Sequence, residues 1–165
     1  MAMPIPSVLE VLRKLESVGV RAWVDGGWGV DALVGRQTRQ HGDLDLALDR
    51  DQLPIATGAL EELGYRRDIH AVPGEPSRLV FVASDDREVD LHPLRFDQPG
   101  DGWQQLDARG KEWGRYPAQD LIAEGSIGGH KVSCLSKELQ MEFHQGYHPR
   151  PADEHDLDLL SKLDG

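Results

Sequence analysis

Apolar positions near the start of the chain recur at helical spacing. Val8, Leu9, Val11, Leu12, Leu15 and Val18 form one stripe that stops before Gly19, and Ser7 with Glu10 has the spacing of a capping box. The pattern predicts a first amphipathic helix. Arg21 to Asp25 reads as a short strand around Trp23 and Val24, broken at Gly26-Gly27, and Trp28 to Leu33 reads as a helix ending near Gly35. Asp43 to Leu48 alternates strictly, with Leu44, Leu46 and Leu48 on one face and Asp43 and Asp45 on the other. Gln52 to Leu63 predicts a second long helix, closed by Gly64. Tyr65 to His70, Arg78 to Ala83 and Glu88 to His92 are strands, the last two joined by a turn at Asp85-Asp86.

From Asp97 to Gly129 the chain is rich in Gly, Asp and Gln, and the expectation there is loops with one short helix. His130 to Leu135 predicts a final strand. Ser136 caps a helix running to about Gln145, and Asp153 to Leu163 forms a terminal helix after Pro149 and Pro151. The expected fold class is α+β, a mixed sheet flanked by helices. The expected organisation is one domain over 1–165, with C-terminal helices from about residue 136.

Charge narrows the partners. Against 18 basic residues stand 29 acidic ones, a formal charge of −11, which disfavours nonspecific binding to nucleic acid or to an anionic membrane. Cationic small molecules suit such a surface better. The N-terminus has neither a basic n-region nor an apolar h-region, and the longest apolar runs, such as Leu79 to Ala83, fall far short of the roughly 20 residues that span a bilayer. One cysteine, Cys134, cannot form an internal disulfide. A cytoplasmic protein is expected.

The chemistry concentrates in Gly26-Gly27, Asp43-Leu44-Asp45 and Asp90. Two carboxylates on one strand face stand about 7 Å apart at the backbone, at a rise of about 3.3 Å per residue, so their side chains converge on one or two hard cations. Oxygen ligands of this kind favour magnesium. Left uncompensated they repel, so the face must be wet or hold a cation. A glycine turn opening a helix supplies backbone amides for phosphate oxygens. Taken alone, Asp43 and Asp45 equally describe a half-solvated acidic strand, and Gly26-Gly27 a plain turn. A dinucleotide-binding reading competes, because Gly27 to Ala32 fits G-x-G-x-x-A and Asp49 follows about 20 residues on. The carboxylates on the intervening strand count against it, since a strand buried on both faces reads as continuously apolar.

Trp23 to Asp31, Gly35 to Asp45 and Asp90-Leu91-His92-Pro93 together resemble the antibiotic-resistance nucleotidyltransferases. The stretch Cys134 to Glu138, Phe143 to Tyr147 and Asp153 through Leu157 most resembles the small lincosamide nucleotidyltransferases, while the aminoglycoside 2''-adenylyltransferases resemble mainly the first half. The resemblance implies a DNA polymerase β-like nucleotidyltransferase fold that uses Mg2+ and ATP or another nucleoside triphosphate, with a small-molecule antibiotic as acceptor and a homodimer as assembly. Asp43 and Asp45 then bind metal, and Asp90 deprotonates the acceptor hydroxyl or helps hold a metal. Gly26 and Gly27 line the triphosphate. Arg39 pairs with phosphate, and His41 either does the same or fixes its loop.

Outside that pattern, Lys137 reads as a solvated helix-start residue, and His144 and Tyr147 as packing or acceptor contacts. His144 and His148 have zinc-like spacing, but Gly146 and Pro149 break the helix that would align them. Asp43-x-Asp45 lacks the later ligands of a calcium loop. Trp103 and Trp113 read as packed loop aromatics, with an antibiotic pocket as the alternative. Transfer to an aminoglycoside, a nucleotide-binding module and a protein-modifying transferase remain the alternatives to a lincosamide enzyme.

Overall fold

The computed structural model describes residues 2–70, 77–106, 113–144 and 149–163. Helix α1 (Ile5–Ser17) leads into β1 (Ala22–Asp25), α2 (Gly26–Val34), β2 (Asp43–Asp49) and α3 (Leu53–Glu62). Strands β3 (Arg66–Arg67), β4 (Leu79–Val82), β5 (Glu88–Phe96), β6 (Gly102–Gln105) and β7 (Trp113–Tyr116) follow. The hairpin strands β8 (Glu124–Ile127) and β9 (His130–Ser133) and helices α4 (Lys137–Phe143) and α5 (Pro151–Ser161) complete the order. No helix among the described residues is long and apolar enough to cross a membrane.

The main sheet runs β1-β2-β5-β4-β3, with β6 and β7 continuing from the far end of β5. Strands β2 and β5 are parallel; β1 is antiparallel to β2, and β4 to β5. The antiparallel β1–β2 pair excludes the dinucleotide-binding layout, which needs parallel neighbours joined by a crossover. Asp49 instead accepts from the Asp51 amide at 2.9 Å, capping the short 3-10 turn before α3.

Alternation decides the two faces. Leu44, Leu46 and Leu48 of β2, with Val89 and Leu91 of β5, are fully buried against Val8, Val11 and Leu15 of α1 and Ala56 and Leu60 of α3. A buried leucine contributes about 1.5–3 kcal/mol, so a one-residue slip of β2 would expose its three leucines and drive Asp43 and Asp45 into this core. The opposite face carries a smaller cluster of Trp23, Ala47, Leu94, Tyr116, Leu121, Leu135 and Leu139 at one end, leaving the acidic end open.

Several boundaries differ from the sequence reading. Helix α1 begins at Ile5 with Pro4 as N-cap and no side-chain cap. Pro4 and Pro6 set helical entry a turn early, so Ser7 does not cap; its Oγ receives Arg87 Nη1 at 3.4 Å. Terminal helix α5 likewise starts at Pro151, and Asp153 sits in its first turn, accepting from the Arg150 amide at 2.9 Å. Strand β3 is shorter than expected, and β5 runs on through Pro93. The loop-rich stretch 97–129 holds β6, β7, β8 and a 3-10 turn at Ala118–Asp120. Its strands bury little on either face, so no apolar alternation marked them. Strand β9 pairs with β8 in a separate ribbon, tied to the main sheet by a bridge between Val24 and Cys134. The Asp85-Asp86 turn forms as expected, with Asp86 at φ +68°. Ser136 caps α4, accepting from the Leu139 amide at 3.1 Å; the predicted end at Gln145 lies outside the described residues.

Candidate active site

Register brings the predicted acids together. Asp25 of β1 lies opposite Asp45 of β2, Asp45 opposite Asp90 of β5, and Asp43 opposite Glu88. Residues paired across a sheet share a face, so these five carboxylates stand on the open end of the sheet. Oxygens of Asp43, Glu88 and Asp90 all lie within 4.8 Å of one another.

Crowding and burial act on their protons. Burial, then the charges of Asp45 and Glu88, pushes Asp43 up to about 6. Asp90, only 2% exposed, is pushed up to about 8, first by burial and then by Asp45. Burial also raises Asp25, against the pull of His92. Asp90 Oδ1 has no hydrogen-bond partner among the described residues, and the guanidinium of Arg78 stands 3.8 Å from Oδ2. A buried carboxylate oxygen without a partner is costly. A hard divalent cation shared by Asp43, Glu88 and Asp90 would satisfy it and draw the raised pKa values of Asp43 and Asp90 back down, so the donor set fits magnesium.

The glycine turn abuts this cluster. Asp25 accepts from the Gly26 amide at 2.6 Å and caps α2. Gly26 has φ +61°, and a Cβ there would overlap the Asp45 carboxylate; one on Gly27 would overlap Arg39 and His41. Only glycine lets both groups close around the start of the helix.

Arg39 and His41 take different places. The Arg39 guanidinium lines the cavity and is gripped from behind by Asp156 of α5, with bonds of 3.1 and 2.9 Å. His41 is buried behind the turn, bonded to Asp31 at 2.6 Å and tilted against the Trp28 ring at 4.5 Å. It does not line the cavity. His144 does, and its Nε2 faces Asp156 at 3.4 Å while Nδ1 bonds the Gln140 carbonyl at 2.7 Å. The Asp156 bond raises the His144 pKa. Burial would raise Asp156, but His144 and Arg39 override it and hold that carboxyl below its ordinary range.

These groups surround a cavity of about 790 Å³. Its acidic floor faces a wall of Leu106, Tyr116 and Phe143, the two rings meeting edge-on at 4.9 Å. Lys137 points away and bonds the Leu163 carbonyl at 2.9 Å. Trp103 donates to Asp97, and Trp113 lies under Arg95; neither lines the cavity. Tyr147 and His148 lie outside the described residues. The sequence reading missed Asp25, Glu88, His92 and Asp156. Glu88 and His92 were accessible to it, since both share the parity of Asp90 on one strand; Asp156 carried no local signal.

A carboxylate cluster beside a glycine turn on a mixed sheet is the arrangement of a nucleotidyltransferase. A sequence model of the aminoglycoside-2''-adenylyltransferase family matches residues 7–160, and the chain belongs to that family. It is 32% identical over 154 residues, 93% of this chain and 91% of the other, to a lincosamide resistance protein of Staphylococcus haemolyticus. It is 33% identical over 129 residues, 78% of this chain and 66% of the other, to a 2''-aminoglycoside nucleotidyltransferase of Klebsiella pneumoniae. Among solved structures, the lincomycin-bound lincosamide antibiotic adenylyltransferase LnuA superposes with a TM-score of 0.82 at 30% identity, covering 98% of this chain and 99% of that one. ANT(2'')-Ia in complex with adenylyl-2''-tobramycin shares the fold, at a TM-score of 0.73 and 21% identity over 94% of this chain and 86% of that one.

Proposed function

We propose that this nucleotidyltransferase moves AMP from ATP to a hydroxyl of a lincosamide antibiotic and releases pyrophosphate. The carboxylate cluster facing the glycine turn carries the reading. The acceptor class is supported by the kinship with the lincosamide enzymes over nearly the whole chain. The cavity agrees, since an acidic floor opposite Leu106, Tyr116 and Phe143 suits an amphipathic molecule with one amine. A polycationic aminoglycoside gains less from the apolar wall.

Asp43, Asp45, Glu88 and Asp90 would hold Mg2+. Bound there, the cation would neutralise charge developing on the attacking and leaving oxygens. The chain's own groups do the rest. Amides of Gly26 and Gly27 and the guanidinium of Arg39 bind triphosphate oxygens, and His41 holds the turn that presents them. Asp90 accepts the proton of the acceptor hydroxyl as its oxygen bonds to the α-phosphorus and the bond to pyrophosphate breaks. The enzyme works in the cytoplasm, where ATP is supplied. On the family resemblance its assembly is a homodimer; a monomer by light scattering at assay concentration removes that part.

The test is mass spectrometry of lincomycin, clindamycin, kanamycin and tobramycin after separate incubation with protein, ATP and Mg2+, with Asp43→Asn as control. An adenylyl adduct on the lincosamides alone, absent in the control, is expected. An adduct on the aminoglycosides alone reassigns the acceptor, and triphosphate binding without pyrophosphate release makes the chain a binding module.

A further inference from the structure

A chain of hydrogen bonds runs from the acceptor wall into the acidic cluster. Gln104 of β6 places Nε2 2.6 Å from the Ser77 carbonyl and 3.1 Å from His92 Nδ1. Its Oε1 receives the buried Tyr116 hydroxyl at 2.9 Å. His92 Nε2 lies 3.1 Å from Asp45 Oδ1. The other Asp45 oxygen, Oδ2, faces Gly26 so closely that a Cβ there would overlap it.

The donors and acceptors leave one consistent assignment. A backbone carbonyl only accepts, so the Gln104 atom beside Ser77 is the amide nitrogen, and its second N–H points at His92 Nδ1. Nδ1 therefore accepts, and the ring proton sits on Nε2, where it donates to Asp45. The Nδ1–H tautomer would set two donors face to face unless Gln104 turned over. Turning over would press its Oε1 against the Ser77 carbonyl.

We infer that His92 is a positioning residue: Gln104, anchored by Ser77 and Tyr116, keeps the proton on Nε2, and Nε2–H ties back one Asp45 oxygen so that the other faces the glycine turn. The proposal rests on the reading of Asp45 as a cation ligand. Outer partners of this kind fix a ligand's orientation, and their loss typically costs about 10–100-fold in metal affinity.

Two measurements separate this proposal from the functional reading. Long-range proton–nitrogen correlation NMR on the wild-type protein reads the His92 ring nitrogens directly, with no nucleotide, drug or variant; a proton on Nε2 is expected, and an Nε2 without one overturns the proposal. Titration with Mn2+ and ATP, followed by electron paramagnetic resonance without acceptor, reads the consequence. His92→Ala should weaken Mn2+ binding by about 10–100-fold, and His92→Gln, whose amide nitrogen stands in for Nε2, should recover most of it. Unchanged affinity in a folded His92→Ala protein, or no recovery in His92→Gln, overturns the positioning role. Absence of Mn2+ binding to the wild type overturns the functional reading instead, and the NMR result still decides the tautomer.

Discussion

Replacing Asp156 with alanine removes a carboxylate that joins helix α5 to Arg39 and to His144 at the end of α4. Asp156 is 1% exposed and holds Arg39 in two bonds, with His144 at 3.4 Å on its other side. Stranding the partner of a fully buried ion pair costs about 3–5 kcal/mol. Here the Arg39 side chain is 26% exposed, and His144 can shed its proton, so a loss of about 2–3 kcal/mol follows from the same rule. At about 2–4 °C per kcal/mol for a chain of this size, Tm should fall by about 4–12 °C.

The pH dependence has two arms. Asp156 titrates below its ordinary 3.8, so its contribution is present above that pH and is lost as pH falls through the lowered value. His144 titrates above its ordinary 6.5, so its contribution is complete below 6.5 and is lost as pH rises through the raised value. Both operate between 3.8 and 6.5. Urea unfolding of wild type, Asp156→Ala and Asp156→Asn should therefore show the largest gap in that window and a smaller one in alkaline buffer, where only the Arg39 bonds remain. A loss below about 1 kcal/mol in the window, the scale of an exposed ion pair, refutes the reasoning.

Three further outcomes are expected. Asp90→Asn should abolish transfer, measured as drug adduct, while fluorescent-ATP titration shows triphosphate binding largely retained; near-normal turnover removes Asp90 as the proton acceptor. Gly26→Ala places a side chain at φ +61° and into the Asp45 carboxylate, so stability should drop by about 1–3 kcal/mol, read by urea unfolding, with transfer lost. Cys134 is fully buried and its thiol is pushed up to about 12, so iodoacetamide should leave it unmodified in the native protein at neutral pH and label it on unfolding, as intact mass reports.

Much of the site was legible because local periods govern it. A strand alternates every second residue, so Asp43 and Asp45 had to share a face opposite Leu44 and Leu46, and Glu88, Asp90 and His92 obey the same rule on β5. Ser136 was recognisable as a cap because a cap is satisfied within a few residues of itself. The strands between Gly102 and Ile127 were not, since they line a cavity or a ribbon and bury too little to leave an alternating pattern.

By itself, then, the sequence determined which residues form the strands that carry the carboxylates, which face of each of those strands is acidic, and where the chain must turn through glycine. The tertiary structure alone decided that β2 and β5 lie side by side and parallel, bringing Asp45 against Asp90 and Asp43 against Glu88. It also decided that Asp156, 117 residues beyond Arg39, closes behind that guanidinium, and that Gln104, held by the Tyr116 hydroxyl, reaches His92. The physical reason is range. Side-chain periodicity is set by neighbouring peptide units, whereas partners across a sheet or between helices are chosen by how the whole chain buries its apolar faces, which no local window of residues contains.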